Sequence, residues 1–327
     1  MTQVLSLIQS AIWFGTVILF GAIGEILTEK SGNLNLGVPG IMFLGGIAGL
    51  ATAFFYQMHA ANPIGAVGMI LSFIAAFLAA ALGGLIYSFL TITLRANQNV
   101  TGLTLTIFGS GLANLYGGSL NKMAGGVGQI SVSLTSKAYR AYIPALANLG
   151  PIGKALFSYG FMVYLAIVLA FAASWFLNRS RAGLNLRAVG ESPATADAAG
   201  INVTKYKYLA TCIGAGISGL GGLYYSMDYI KGTWTTDGTI EALGWLAVAL
   251  VIFATWKPAR AIWAAYLFGI LYWAYNYIGG LTRASIELFK MLPYVVTILV
   301  LIVVSLRHSR DSHPPASLGL SYFREDR

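Results

Sequence analysis

The sequence predicts an all-α polytopic transmembrane helical bundle of about nine spans, within a range of about eight to ten, and no sizeable soluble domain. Hydrophobic residues make up 57% of the chain and charged residues 9%, whereas about a quarter of an ordinary soluble chain is charged. The mean hydropathy is +0.72. A β-barrel would alternate polar and apolar residues, but runs such as 163–171 and 295–304 are apolar on every face.

The predicted spans follow one another along a single transmembrane domain, residues 1–327. The third span is longer than the hydrocarbon core of about 30 Å, so it tilts or continues past the interface. The first apolar run has no basic region before it and is followed directly by charged residues. We therefore expect a spanning helix there and not a cleaved signal peptide. The nine spans are 4–27, 37–56, 65–94, 98–117, 157–177, 206–228, 241–256, 258–279 and 288–306.

The hydrophilic segments predict an orientation. Residues 178–207 are rich in Lys and Arg, and short loops of this kind tend to stay in the cytoplasm. Alternation from this segment places the N-terminus outside, the tail 307–327 in the cytoplasm and the long segment 118–156 outside. Basic residues in that long segment argue mildly against this assignment, although long loops follow the rule poorly.

Composition and spacing exclude several classes of function. The formal net charge is +9, but the basic residues lie between hydrophobic spans and do not gather on one soluble face, so no nucleic-acid binding is predicted. The single cysteine, Cys212, permits no intramolecular disulfide. His59, His308 and His313 lack ligand spacing to other metal-binding residues, so no metal site is predicted. No catalytic set of nucleophile, base and orienting group can be assembled, which predicts that the chain is not an enzyme.

A short helix is predicted within the cytoplasmic segment 178–207. Ser192 suits the N-cap, Pro193 suits the first helical position, and Gly200 suits the left-handed residue that ends a helix. Glu191 and Asp197 add carboxylates. A helix of about two turns is not stable alone in water, so it needs a surface on which to dock. That surface is either the protein's own helix ends or a cytoplasmic partner, and the residues leave both open.

Three segments carry a family resemblance. Residues 188–210 read AVGESPATADAAGINVTKYKYLA, residues 24–46 read GEILTEKSGNLNLGVPGIMFLGG, and residues 244–269 read GWLAVALVIFATWKPARAIWAAYLFG. Together they resemble permease subunits of bacterial ATP-binding-cassette (ABC) importers, in the branched-chain amino acid and simple-sugar permease superfamily. The second segment resembles the nucleoside and simple-sugar branch. One departure is Val38-Pro39, where the family more often has an acidic residue before the glycine.

The resemblance implies a transmembrane permease subunit in a bacterial plasma (inner) membrane, forming half of a pathway for a nucleoside or a related solute such as a simple sugar. It implies a second similar permease, in an expected heterodimer, two ATP-binding subunits on the cytoplasmic face and an extracytoplasmic substrate-binding protein. No phosphate-binding loop of the G-x-x-x-x-G-K-[ST] type is present, so ATP and Mg are expected on the partner subunits and no cofactor on this chain. The residues carried over to the coupling helix are Glu191, Ser192, Pro193, Asp197 and Gly200.

Polar residues within spans are costly in lipid and indicate a candidate substrate pathway. Asn97, Thr101 and Thr104 share one helix face that continues towards Asn114. These side chains either line a pore or cap the helix and bond to its own backbone.

Two further regions are candidates for the pathway. Asn33 and Asn35 lie in SGNLNLGVPG, which predicts either broken backbone that lines a wet cavity or an ordinary interfacial loop. Trp245, near Trp234 and Glu241, either stacks on a substrate ring or belongs to the interfacial aromatic belt.

A second hypothesis is a secondary transporter of a small polar solute, driven by an ion gradient. Glu25, Glu29 or Glu241 would then be the coupling carboxylate. The alternative, with no role in transport, is that Glu25 and Glu29 lie at a solvated end of the first span or pair with Lys30. Such transporters often contain paired interrupted helices in two halves, and the sequence shows no such repeat of useful length. The residues do not choose among nucleosides, pentoses, other sugars and vitamins.

Overall fold

The structure, a computed structural model, describes residues 2–124, 130–142, 144–147, 150–236, 238–278, 280–307 and 313–323. Within those ranges the regular elements are all helical. π-Helical turns extend α3 over Phe89–Thr93 and α11 over Tyr225–Tyr229, and a 3₁₀ turn follows α13 over Ala274–Tyr277. The helices are α1 Thr2–Glu29, α2 Val38–His59, α3 Gly65–Ser88, α4 Gln98–Met123, α5 Ser133–Tyr139, α6 Pro144–Ala147, α7 Gly150–Phe157, α8 Phe161–Arg179, α9 Arg181–Glu191, α10 Pro193–Ala198, α11 Val203–Tyr224, α12 Thr239–Phe253, α13 Pro258–Trp273 and α14 Arg283–Arg307.

Every predicted span coincides with a helix, which confirms the helical membrane bundle. Within the described part of the chain, five helices are long and apolar enough to cross a membrane, namely Gln3–Glu29, Val38–His59, Gly65–Thr93, Phe161–Arg179 and Arg283–Val303. α12 is apolar but shorter. The third span is continuous over the 29 residues Gly65–Thr93, which at about 1.5 Å per residue exceeds the thickness of the hydrocarbon core.

The long helices alternate between two ends of the bundle. The basic end is defined by residues 30–37, 95–98, 178–207, 254–260 and 313–323, which contact one another. The opposite end is defined by residues 59–64, 130–142, 150–160, 229–236, 274–278 and 280–282. There Gln9 of α1 donates a hydrogen bond to the carbonyl of Lys154, and Ser10 bonds with Tyr277. α1, α2, α3 and α11 pack in the centre.

Small residues let the central helices approach closely, as the spacing of Gly214, Ser218 and Gly222 on α11 predicts. A Cβ at Gly214 would overlap the carbonyl oxygen of Gly24 on α1, and a Cβ at Gly222 would overlap that of Met42 on α2. The Ser218 hydroxyl donates to the carbonyl of Gly21 at 3.1 Å. Direct backbone contact therefore holds α11 between α1 and α2.

Two segments that the sequence indicates as loops are largely helical. α5, α6 and α7 lie within 118–156, where the Tyr139 hydroxyl of α5 bonds with Ser72 of α3 at 2.8 Å. α9 lies within 178–207 and begins at Ser180, whose Oγ accepts a hydrogen bond from the Gly183 amide at 2.9 Å. Both segments are amphipathic surface elements that dock on the bundle, so their apolar content is too low for a span.

Candidate functional site

The short helix predicted within residues 178–207 is confirmed as α10, Pro193–Ala198. Ser192 is its N-cap, with Oγ accepting a hydrogen bond from the Thr195 amide at 3.4 Å. Pro193 occupies the first helical position. Gly200 takes the left-handed conformation, with φ of 81°, which an L side chain disfavours. Local backbone preferences therefore set where this helix begins and ends.

One face of α10 docks on the protein's own chain. Ala196 is 3% exposed and packs with Val189 of α9 and Val203 of α11. The other face is exposed and carries small side chains, namely Ala194, Thr195, Ala198 and Ala199. The inner face thus satisfies the docking requirement of a two-turn helix, and the outer face remains open to contact from outside the chain.

A C-terminal segment, the tail strap (residues 315–323), connects to this helix. The Tyr322 hydroxyl donates to Oδ2 of Asp197 at 2.9 Å. The amide of Ala316 donates to Oε2 of Glu191 at 3.3 Å. These two bonds reach both carboxylates of the predicted coupling segment, and nothing in the sequence marks the tail as their partner.

The tail strap and α9 also pack on the loop between α1 and α2, residues 30–37. Ser317 donates through both its amide, at 3.0 Å, and its hydroxyl, at 2.6 Å, to the carbonyl of Gly190. The amide of Gly319 donates to the carbonyl of Gly32 at 3.2 Å. A Cβ at Gly190 would overlap the carbonyl oxygen of Lys30. α9, the tail strap and the α1–α2 loop therefore form one contiguous unit.

The α1–α2 loop is largely buried in protein. Asn33 donates through Nδ2 to the Thr211 hydroxyl at 3.0 Å, while its buried Oδ1 has no hydrogen-bond partner among the described residues. Oδ1 of Asn35 accepts from the Gly37 amide at 2.9 Å. The Asn35 amide group thus holds the turn, and Asn33 keeps one unused acceptor.

The loop backbone is tied to α3 and α4. The Leu34 amide donates to Oε1 of Gln98 at 2.7 Å, and the Tyr87 hydroxyl donates to the Leu34 carbonyl at 2.5 Å. The Thr106 hydroxyl donates to the carbonyl of Leu36 at 3.0 Å. Irregular backbone at membrane depth is tolerated where protein supplies such partners, because lipid supplies none.

Glu25 and Glu29 are buried, with 1% and 3% exposure, so the expectation that they solvate a helix end is wrong. Oε1 of Glu25 accepts from the Asn35 amide at 3.1 Å. Oε2 of Glu29 accepts from the indole N–H of Trp256, a residue to which the sequence analysis assigns no role. Glu25 therefore supports the α1–α2 loop, and Glu29 joins α1 to the connection between α12 and α13. Both contacts become visible only in the packed structure.

Two polar cavities open at the basic end. The larger, of about 720 Å³, is lined by Asn33, Arg95, Gln98, Asp197, Lys207 and Tyr322. It joins the α1–α2 loop, α10 and the tail strap. The second, of about 610 Å³, is lined by basic groups that include Lys30, Arg187, Lys257 and Arg260. Burial lowers the pKa of Lys30 from its usual value.

The polar residues predicted to share one face of α4 lie in different environments. Asn97 is the N-cap, with Oδ1 accepting from the Val100 amide at 3.1 Å. Thr101 is 8% exposed, while Asn97 and Thr104 are exposed. Both threonines donate to carbonyls four residues earlier, at 2.8 Å. Asn114 has a buried Oδ1 without a partner.

The two tryptophans near the start of α12 differ in how deeply they are buried. Trp245 is half-buried. Trp234 is 1% exposed and packs against Phe43 of α2, with ring centroids 6.3 Å apart, and against Gly117 of α4. An interfacial-belt position is therefore wrong for Trp234, because it is buried against α2 and α4.

Comparisons with known proteins agree with this architecture. A family model for the permease component of the branched-chain amino acid transport system matches residues 6–301. The chain is 35% identical over 268 residues to the putative glucose ABC transporter permease protein TsgC13 of Haloferax volcanii, covering 81% of this chain and 75% of that protein. It is 33% identical over 313 residues to the guanosine ABC transporter permease protein NupQ of Bacillus subtilis, covering 91% and 92%.

A third relative is the nucleoside ABC transporter permease protein NupC of Lactococcus lactis, 30% identical over 299 residues, with 90% of each chain covered. The family model includes α9, α10 and the α1–α2 loop, and each of the three relatives matches most of the chain. The chain is a multi-pass membrane protein that belongs to the family of permease components of branched-chain amino acid transport systems.

Proposed function

We propose that this chain is the permease subunit of an ATP-driven importer and forms half of the translocation pathway for a nucleoside or a related small polar solute such as a simple sugar. The names of the relatives support the solute class. The observation that carries the mechanism is the contact of α9 and the tail strap with both α10 and the α1–α2 loop. A force on the exposed face of α10 reaches the loop through bonded groups.

In this proposal the basic end faces the cytoplasm of a bacterial cell, with the N-terminus outside and the tail inside. Lys30, Arg187, Lys257 and Arg260 gather at this end, in agreement with the positive-inside rule. The two ATP-binding subunits dock on the exposed face of α10, and they bind and hydrolyse ATP with Mg. This chain binds no cofactor and carries out no chemistry of its own.

A second, similar permease completes the pathway, as a heterodimer with this chain. α4 supports this assignment because its outer face is exposed and mixes apolar with small and polar residues. Ile107 is 73% exposed and Leu115 is 66% exposed. Gly111 lies between them in the sequence and Thr104 lies just before Ile107, and both are also exposed. Small and polar residues suit a facing helix or a wet pathway better than lipid. Asn97, Thr104, Asn114 and Trp245 are the proposed pathway contacts.

Import requires the basic end to open, and the α1–α2 loop is the element that closes it. Asn33, Asn35 and Thr101 are buried around this loop, so they contact the solute only after the loop moves. An extracytoplasmic binding protein delivers the solute to the opposite end. The ion-driven alternative lacks comparable support, because Glu25 and Glu29 already bond within the protein.

The test is a triple variant of the coupling segment, Glu191→Ala, Asp197→Asn and Gly200→Ala, in the complete transporter in proteoliposomes. We expect loss of ATP-dependent uptake while the chain still inserts and the ATP-binding subunits still hydrolyse ATP. A matched control combines Gly118→Ala, where an added methyl meets no atom within 4 Å, with Glu287→Gln, an exposed surface ion pair. Uptake by the triple variant at the control level would rule out α10 as the coupling element.

A further inference from the structure

A cavity of about 460 Å³ lies at the opposite end of the bundle, and none of the predicted site residues lines it. Its volume is within the range of about 300–1,000 Å³ that small-molecule sites occupy. α1, the π-helical turn that extends α11, and α13 form its wall together with the connections that follow α5 and α7. Its lining includes Trp13, Arg140, Tyr142, Asp228, Lys231 and Trp273.

Asp228 is the unusual member of this wall. It lies in the π-helical turn that ends α11, it is 5% exposed, and its Oδ2 has no hydrogen-bond partner within the described ranges. A buried carboxylate without a partner is costly, and an ionisable residue at the end of a span indicates a functional site. π-Helical turns also occur frequently at such sites.

Oδ2 of Asp228 forms no hydrogen bond to a neighbouring group of the described residues. Arg140 lines the same cavity and attracts the Asp228 carboxylate electrostatically, but its Nε donates to the Ser136 hydroxyl at 3.3 Å. Gly160 lies against Oδ2, where an added Cβ would approach to 2.7 Å. The bare backbone at Gly160 therefore keeps room beside the acid, and no protein donor of the described part of the chain fills it.

The cavity also holds a buried donor. Among the described residues the indole N–H of Trp273 has no acceptor at hydrogen-bond geometry, although it lies close to Tyr229 of the same wall, and it belongs to the same lining as Asp228. Aromatic rings of Trp13, Tyr142 and Tyr229 complete the wall. The arrangement combines one acceptor, one donor and flat apolar surfaces in a single concave site, which is the usual composition of a small-ligand pocket.

We propose that this cavity binds a small hydroxylated ring molecule, with Asp228 accepting from its hydroxyl groups, Trp273 donating to one of its oxygens and the aromatic wall stacking on its ring. The identification of the ring as a nucleoside or sugar rests on the proposed function. A simple cation fits poorly, because Arg140 and Lys231 line the cavity, and a simple anion fits poorly beside Asp228. The site would receive the solute at the opposite end before the basic end opens.

The test measures binding of radiolabelled guanosine to the purified full chain in lipid nanodiscs, with unlabelled glucose and leucine as competitors. The variants are Asp228→Asn, which keeps the shape and removes the charge, and Trp273→Phe, which keeps a ring and removes the N–H. Glu287→Gln is the matched control, since it removes an exposed carboxylate from the same end, paired only with Lys290. Thermal unfolding of each variant establishes that it is folded.

We expect saturable guanosine binding by the unmodified chain and by Glu287→Gln, competition by glucose but not by leucine, and affinity at least about tenfold weaker in Asp228→Asn, because a hydrogen bond to a charged group is lost. If Asp228→Asn does not fold, weaker binding by Trp273→Phe carries the same inference. Unchanged affinity in the folded variants, preferred binding of leucine, or no binding at millimolar guanosine would overturn it. ATP-dependent uptake by the complete transporter would still stand in each of those cases, so the two proposals fail separately.

Discussion

Replacing Gly190 by Ala tests whether the coupling segment acts on the α1–α2 loop by direct contact. An added Cβ would overlap the Lys30 carbonyl oxygen and lie 3.0 Å from its carbonyl carbon and 3.3 Å from the Gly32 amide nitrogen. Carbon atoms in ordinary contact are about 3.5–4.0 Å apart, so α9 must move away by roughly half an ångström to one ångström. The two Ser317 bonds to the Gly190 carbonyl, at 2.6 and 3.0 Å, cross the same interface and lengthen with it.

The expected stability change is small. Overpacking typically lowers the free energy of unfolding by about 1–3 kcal/mol, whereas Ala in place of Gly within a helix raises it by about 0.5–1 kcal/mol. The net loss of stability is therefore roughly 0–2.5 kcal/mol. The chain should still insert and fold. Loss of the contact should weaken the coupling between the coupling segment and the α1–α2 loop. Coupling free energies of about 1–3 kcal/mol correspond to about 5–150-fold changes in an equilibrium constant. We therefore expect uptake per ATP hydrolysed to fall by at least about fivefold.

The assay measures solute uptake and ATP hydrolysis together in proteoliposomes that contain the complete transporter. Gly118→Ala is the matched control, because it makes the same chemical change in a helix where the methyl meets no atom within 4 Å. Gly190→Ala with a normal ratio of uptake to hydrolysis would refute transmission through this contact. A reduced ratio in Gly118→Ala as well would refute the specificity of the effect.

Two further predictions concern bonds that join distant parts of the chain. Tyr322→Phe and Asp197→Asn should each lower uptake, and the double variant should be non-additive by about 0.5 kcal/mol or more, since contacting residues couple; additive effects would contradict a functional Tyr322–Asp197 bond. Trp256→Phe should destabilise the protein by about 1–3 kcal/mol, because the buried Glu29 carboxylate loses its donor. Thermal unfolding measures this, with the 79% exposed Trp263 changed to Phe as the control; equal stability of the two variants would contradict it.

Features set by local chemistry could be predicted from the sequence. The nine helical segments follow from runs of apolar residues, and α10 follows from a cap, a proline and a left-handed glycine within nine positions, Ser192 to Gly200. These features need only neighbouring residues. α9 was missed because an amphipathic surface helix has neither the length nor the hydropathy of a span, although Ser180 offered an N-cap signal.

Features set by tertiary contact could not be predicted in this way. The tail strap bonds with residues 125 to 287 positions away, and no local pattern in the sequence predicts these contacts. Glu25 looks like a solvated end of a span until α2 places the Asn35 amide over it. Asp228 carried a usable signal, since a lone carboxylate at the end of an apolar helix indicates function, but its lack of a partner requires the packed structure.

The central claim is that ATP-binding subunits, and not an ion gradient, drive solute movement through this chain. The direct measurement is guanosine uptake into proteoliposomes that contain this chain with its partner permease, ATP-binding subunits and binding protein, compared with this chain alone. We predict accumulation only with the complete set and ATP on the side of the ATP-binding subunits, and no response to collapsed proton or sodium gradients. Accumulation by this chain alone under a proton or sodium gradient would contradict the account.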